Sequence, residues 1–125
     1  MTIDQVLLGI TLIVGSWLLY ALLIRGRLSD QRAVRLINEG ALIVDVRNSE
    51  EFIEVHYPGA ISIPVLHLMV SLRSLNLSKQ SVILCYCKSG GRSAIATTLF
   101  RNAGYKHAYN LGSLKRAQRI SQTVT

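Results

Sequence analysis

The chain opens with an unbroken apolar segment. From Val6 to Ile24, nineteen residues carry no charged side chain, and most of them are Leu, Ile or Val. A helix of this length measures about 28 Å at about 1.5 Å per residue, which is close to the bilayer's hydrocarbon thickness of about 30 Å. The pattern predicts a transmembrane helix over residues 5–25, followed by a linker over residues 26–28.

Two other structures are typical of such a segment, a secretory signal peptide and a buried core helix. Against a signal peptide, residues 1–5 contain no Lys or Arg, and no small-residue cleavage pattern precedes Arg25. A core helix is disfavoured because so short a chain has too few other residues to bury a helix that is apolar on all sides. The membrane anchor is therefore the favoured interpretation.

Beyond residue 28, short apolar runs alternate with longer segments whose apolar residues recur at helical spacing, which predicts one domain over residues 29–125. This alternation is typical of an α/β fold built in layers around a parallel sheet. Ligands of such sheets bind beyond the carboxyl ends of the strands. Strands are expected at 41–46, 61–63, 81–86 and 107–111, and helices at 30–38, 50–55, 65–75, 92–102 and 113–120.

Charge is distributed unevenly along the 125 residues, whose formal net charge is +7. All seven carboxylate side chains precede residue 55, and nine Lys and Arg residues follow it. A basic surface of this kind attracts small anions or lipid headgroups. Because the basic residues are dispersed and match no recognised nucleic-acid-binding motif, nucleic-acid binding is not expected. The basic run Lys115, Arg116 and Arg119 is predicted to be a solvated helix face, with lipid contact as the alternative.

The flanks of the apolar segment predict its orientation. Asp4 is the only charged side chain before it, whereas arginines 25, 27, 32 and 35 follow closely. Basic residues stay on the cytoplasmic side of a membrane, so the domain is expected to face the cytoplasm. Two cysteines kept as thiols agree with that reducing compartment.

The candidate chemistry lies in residues 81–93. An apolar run ends at Cys87, the chain turns through Gly90 and Gly91, and a helical pattern follows. Unpaired N–H groups at a helix start favour an anion and lower the pKa of a nearby thiol from its usual value of about 8.5. Cys87 is therefore predicted to be a reactive thiolate, whereas Cys85, inside the run, is predicted to be a core residue.

Two segments together resemble the rhodanese-like (sulfurtransferase) family. One runs from Leu42 through Asp45-Val-Arg47 to Phe52, followed by His56-Tyr-Pro-Gly-Ala; the other is Cys87-Lys-Ser-Gly-Gly-Arg-Ser, with Cys-x4-Arg spacing. The resemblance extends over nearly all of residues 29–125. It implies a three-layer α/β sandwich around a five-stranded parallel sheet, here preceded by the transmembrane helix.

The resemblance also implies a reaction. Cys87 would take a sulfane sulfur from a small anionic donor, thiosulfate or a persulfide, and pass it as a persulfide to an acceptor thiol or cyanide. The other residues of the active-site loop are expected to assist the reaction. Lys88 and Arg92 would supply positive charge for the anionic donor, and Ser89 and Ser93 would donate hydrogen bonds. Gly90 and Gly91 would leave room for N–H groups to converge on the sulfur. Asp45 and Arg47 are expected to support the site by bracing a loop.

Two other functions stay open at this stage. A Cys-dependent phosphatase or arsenate reductase would resemble Cys-x5-Arg, but four residues separate Cys87 from Arg92. A non-enzymatic module that recruits proteins to the membrane is the other, and its best argument is the anchor. No cofactor is expected, and no metal site either, because the three His residues are scattered and there is no second Cys pair. The sequence names no protein partner.

Overall fold

The computed structural model describes residues 1–24 and 28–125. Over these residues the chain forms six helices and four strands. The helices are α1 (Ile3–Ile24), α2 (Asp30–Asn38), α3 (Ser49–Glu54), α4 (Val65–Ser71), α5 (Gly91–Asn102) and α6 (Leu114–Ser121). The strands are β1 (Leu42–Asp45), β2 (Ile61–Ser62), β3 (Ile83–Cys87) and β4 (Ala108–Ser113).

The strands form one parallel sheet in the order β2-β1-β3-β4. Each strand forms where the apolar pattern predicts one, so the predicted strand positions are confirmed. The five strands implied by the family resemblance are wrong for the described residues, in which the sheet has four. The segment before β1 is taken up by α2, which Ser29 caps through its side chain, and by a turn in which Gly40 has a φ of +96°. Strand β1 begins two residues after Gly40.

Helices cover both faces of the sheet, which confirms the predicted three-layer sandwich. Alternate residues of a strand point to opposite faces. On β3, Cys85 and Cys87 therefore share a core with α4 and α5, whereas Leu84 and Tyr86 share the opposite core with α2 and α6. The candidate nucleophile thus points toward the layer that contains α5.

Most element boundaries differ from the sequence prediction by one or two residues, and the end of α4 differs by four. Helix α4 ends at Ser71 instead of residue 75, and a turn over residues 72–74 follows. Strand β4 extends to Ser113, past the predicted residue 111, and its register against β3 shifts between Cys85 and Tyr86. The shift pairs Tyr86 with Gly112, whose φ is +96°, and brings Ser113 opposite Cys87.

The basic run on α6 is not wholly a solvated face. Arg116 is buried, and its guanidinium binds the Asp30 carboxylate at 2.8 Å and the Leu111 carbonyl at 2.8 Å. Arg119 binds the same carboxylate at 2.6 Å. Asp30 lies on α2, distant in sequence, and pairs with both arginines, but only Arg116 is buried, because Arg119 remains 61% exposed. Lys115 is exposed without an ion pair of this kind.

One described helix is long and apolar enough to cross a membrane. This segment, Ile3–Leu22 of α1, has none of its residues buried against the rest of the chain. The predicted linker residues 26 and 27 lie outside the described residues, as does Arg25.

Candidate active site

Cys87 is the last residue of β3, at the carboxyl edge of the sheet. Its side chain is part of the core, and the residue is 1% exposed. Its Sγ nevertheless accepts a hydrogen bond of 2.9 Å from the backbone N–H of Gly90. A buried sulfur that receives an N–H hydrogen bond is placed to hold negative charge.

Gly90 makes this hydrogen bond possible by its backbone conformation. It is the N-cap of α5 and has φ +101° and ψ −10°, in the left-handed region that glycine adopts without strain. Gly91 is the first residue of α5 and does not have a positive φ. Only one of the two glycines is therefore required by the turn itself, and a Cβ at Gly91 would meet open space.

Two buried side chains, those of Ser93 and Asn110, fix the turn by hydrogen bonds to the Gly90 carbonyl. Ser93 is buried in the first turn of α5, with its Oγ 3.4 Å from Cys87 Sγ and 2.7 Å from Asn110 Oδ1. Asn110, buried on β4, donates from Nδ2 to the Gly90 carbonyl at 3.2 Å and accepts from the Gly112 N–H at 2.9 Å. One amide thus links the strand, the turn and the serine, and the sequence analysis did not identify it.

The pKa of Cys87 is lowered. Burial acts to raise it, but the sulfur receives hydrogen bonds from the Ser93 side chain and from the backbone N–H groups of Ser93, Gly90 and Ser89, and these outweigh burial. Cys85 has no such set of donors, and burial raises its pKa to about 12. The two cysteines are both free and lie on the same core face, yet the turn favours a thiolate at only one of them.

Arg92, which the sequence analysis expects to supply positive charge for the donor, is paired with a carboxylate. Its guanidinium forms a two-pronged ion pair with Glu51 of α3, with N to O distances of 2.8 and 3.2 Å. Both side chains are partly exposed, at 36% for Arg92 and 26% for Glu51. The pair joins α3 to the loop, so Arg92 braces the site, and Glu51 is a second residue missed by the sequence analysis. Lys88 and Ser89 are exposed on the loop.

Asp45 and Arg47 form a buried pair beside the loop. The Arg47 guanidinium donates to both Asp45 oxygens, with a shortest distance of 2.7 Å, and also to the Val55 carbonyl at 2.6 Å. The Asp45 carboxylate also accepts from the Tyr86 hydroxyl at 2.6 Å, and this hydroxyl accepts from the Tyr57 N–H at 2.9 Å. The network fixes the segment after α3 to the end of β1, in keeping with a bracing role.

A cleft of about 320 Å³ opens beside the loop. It lies between the end of β1 and the start of α4, and Arg92 forms one wall; the remaining lining residues are Val46, Asn48, Pro64, Val65 and Leu66. The cleft offers one cation and a mostly apolar surface to a molecule approaching the cysteine loop. Within residues 1–24 and 28–125, no group of three His, Cys, Asp or Glu residues is placed to hold a metal ion.

The fold and the site define an α/β protein whose cysteine is held by the turn between a central parallel strand and the next helix. The model of the Rhodanese-like domain family matches residues 29–117, and the chain belongs to this family. The resemblance identified from the sequence is thereby confirmed.

Similar proteins include named sulfurtransferases. Thiosulfate sulfurtransferase PspE of Escherichia coli is 32% identical over 72 residues, which cover 58% of this chain and 69% of that protein. A sulfurtransferase of Allochromatium vinosum is 33% identical over 84 residues, 66% of this chain and 77% of that one. The solved structure of human single-domain sulfurtransferase TSTD1 is 28% identical, with a TM-score of 0.67 over 75% of this chain and 95% of that chain. The family of this chain is therefore a sulfurtransferase family.

Proposed function

We propose that this protein is a membrane-anchored sulfurtransferase that carries a sulfane sulfur as a persulfide on Cys87. The observation that carries the proposal is the hydrogen bond from the Gly90 N–H to a buried Cys87 Sγ whose pKa is lowered. A thiolate is the nucleophilic form of cysteine, and this turn stabilises it without a neighbouring base.

In the first step, the Cys87 thiolate attacks the outer sulfur of thiosulfate. A new S–S bond forms, the S–S bond of the donor breaks, and sulfite leaves with the electron pair. A persulfide donor reacts in the same way and releases a thiolate. Because each leaving group is a stable anion, no residue has to donate a proton to it.

In the second step, an acceptor thiolate or cyanide attacks the terminal sulfur of the Cys87 persulfide. The acceptor gains the sulfur atom, and Cys87 returns as a thiolate. The loop N–H groups that stabilise the thiolate before the first step stabilise the same anion as it leaves in the second.

Lys88 is proposed to attract the anionic donor electrostatically, because it is exposed on the loop. Ser89 is proposed to act through its backbone N–H, one of the groups that lower the pKa of Cys87. Ser93 and Asn110 are proposed to position the turn, and Arg92 with Glu51 to hold it against α3. Asp45 and Arg47 are proposed as supporting residues that do not touch the donor.

We further infer that α1 anchors the protein, with residues 5–25 in the membrane, 26–28 as linker and 29–125 in the cytoplasm. The apolar length of α1 and the arginines that follow the span support this arrangement.

Thiocyanate formation from thiosulfate and cyanide tests the proposed activity. The full chain in detergent should form thiocyanate, and Cys87→Ser should abolish the reaction, because a hydroxyl neither ionises at neutral pH nor forms a persulfide. Cys85→Ser is the matched control and should keep activity, at a cost of about 1 to 3 kcal/mol in stability if the new hydroxyl is buried unpaired. Turnover by Cys87→Ser would overturn the assignment.

A further inference from the structure

The chain enters the domain at the same edge of the sheet as Cys87. Leu28, the first described residue after α1, is buried, and its carbonyl accepts a hydrogen bond from the Arg116 guanidinium. The backbone N–H of Arg116 donates to the Ser113 side chain at 3.1 Å, and Ser113 is the register partner of Cys87. These contacts tie the point of entry to the carboxyl edge of the sheet.

The distance from α1 to this edge is short. Four peptide steps separate Ile24 from Leu28. Fully extended, they span at most about 14 Å at about 3.3 to 3.6 Å per residue. If α1 crosses a membrane, the edge that carries Cys87 therefore stays close to the membrane surface.

Helix α4 presents an apolar face that begins at this edge. The backbone N–H of Val65, its first residue, donates to the Val46 carbonyl at 3.0 Å, just beyond the end of β1. Leu66, Met69 and Val70 follow at spacings of three and four residues and are 79%, 66% and 80% exposed. We call these three residues the α4 apolar face. Leu68 is fully buried on the opposite side of the same helix.

The charges around the α4 apolar face suit an anionic membrane surface. Helix α4 has no carboxylate, and the exposed Arg73 follows it closely, with the exposed Lys88 on the cysteine loop. Exposed carboxylates at this edge, Glu50 and Glu54, are on α3. Exposed apolar side chains with cations beside them are typical of segments that insert into the headgroup region of a bilayer.

We propose that the α4 apolar face rests in the bilayer entered by α1, so that the Cys87 loop opens at the membrane surface. The occupant of this face is then lipid, and a sulfur donor or acceptor approaches Cys87 along the membrane. This inference rests on the proposed anchoring, but it does not require that Cys87 transfers sulfur.

Depth-dependent quenching tests the contact. The full chain carrying Cys87→Ser and Val70→Cys is labelled with the environment-sensitive fluorophore NBD and reconstituted into vesicles of phosphatidylcholine and phosphatidylglycerol. Lys106→Cys is the matched control, because Lys106 is exposed just before β4, at the opposite edge of the sheet. Cys87→Ser without an added cysteine gives the background from Cys85.

Spin-labelled lipid should quench the probe at position 70 several-fold more than the probe at position 106. Equal, weak quenching at both positions would overturn the proposal. A probe at position 70 that is shielded from aqueous iodide but not quenched by lipid would overturn it too, and would assign the face to a protein contact. Failure of the chain to float with the vesicles would instead contradict the proposed anchoring, so the two failures are distinguishable.

Discussion

At the scale of single residues, the structure separates two cysteines that the sequence places two positions apart. Both are buried and both face the layer that contains α5, so neither burial nor direction distinguishes them. The difference lies in the donors: Cys87 receives N–H hydrogen bonds at the turn, whereas Cys85 lies within the strand. The difference in pKa between the two thiols thus arises from the hydrogen-bond donors around Cys87.

Alkylation by iodoacetamide across pH should show this difference. Iodoacetamide reacts with the thiolate, so a lowered pKa moves the midpoint of the rate profile to lower pH. We expect the Cys87 midpoint to fall below the free-cysteine value of about 8.5. Cys85, whose pKa burial raises to about 12, should react far more slowly at every pH. Peptide mass analysis follows each cysteine separately, and equal labelling of both would contradict the account.

Asn110→Asp should raise the Cys87 midpoint. The substitution replaces the Nδ2 that donates to the Gly90 carbonyl with an oxygen and places a negative charge near the thiolate. A like charge disfavours ionisation, so a rise of about one pH unit is expected. Asn102→Asp makes the same change at an exposed position at the end of α5 and should leave the midpoint unchanged. Identical midpoints in the two variants would remove Asn110 from the positioning role.

At the scale of elements, the site is where several helix starts meet the ends of strands. Helix α3 is joined to the cysteine loop by the Glu51–Arg92 ion pair and to β1 by the hydrogen bond from Arg47 to the Val55 carbonyl. The loop therefore depends on α3 for its position, although α3 is only six residues long and has no buried residue.

Glu51→Gln should lower the KM for thiosulfate. The substitution removes the carboxylate charge that neutralises the Arg92 guanidinium but keeps an amide oxygen that accepts its hydrogen bond, so the loop stays braced and the uncompensated charge attracts the donor anion. Two charges about 4 Å apart in water interact by about 1 kcal/mol, which limits the gain to about fivefold. Glu50→Gln removes the same charge from an exposed residue that has no ion pair in the structure, and should change KM less. Equal changes in the two variants would mean that the ion pair does not control donor binding.

The elements were largely predictable from the sequence, whereas the contacts between them were not. The strands follow from apolar runs, and Cys87 follows from its place between such a run and a glycine turn. Asn110 gave no signal, because its role depends on the register shift of β4 against β3. Glu51 gave none either, because its partner is 41 residues away and meets it only through the fold. Helix α4 was predicted too long because Leu72 and Leu75 keep the apolar pattern while packing against the core from the turn and from the residue that follows it.

At the scale of the whole molecule, an apolar helix long enough to cross a membrane leads into a domain whose Cys87 edge lies near the point where the chain enters it. The carboxylate side chains are confined to the part of the chain before residue 55, so α4 and the cysteine loop carry none, and the exposed carboxylates at their edge, Glu50 and Glu54, belong to α3. A tether at this edge and a basic surface together favour a domain held against an anionic membrane.

The anchoring predicts a topology that can be measured. The full chain should stay with the membrane fraction after alkaline carbonate washing, because an apolar helix of this length is held by the hydrocarbon core. A reporter fused after Thr125 should be active on the cytoplasmic side, as the arginines after the span require. Release by carbonate, or a mature protein that begins near Arg25, would contradict the anchor.

The central claim, that Cys87 carries the sulfur, is tested most directly by the intact mass of the full chain before and after thiosulfate. The account predicts a gain of one sulfur atom, mapped to Cys87, that cyanide removes completely. Cys85→Ser should gain the atom and Cys87→Ser should not. Absence of the gain in the unsubstituted chain, or its persistence in Cys87→Ser, would contradict the account.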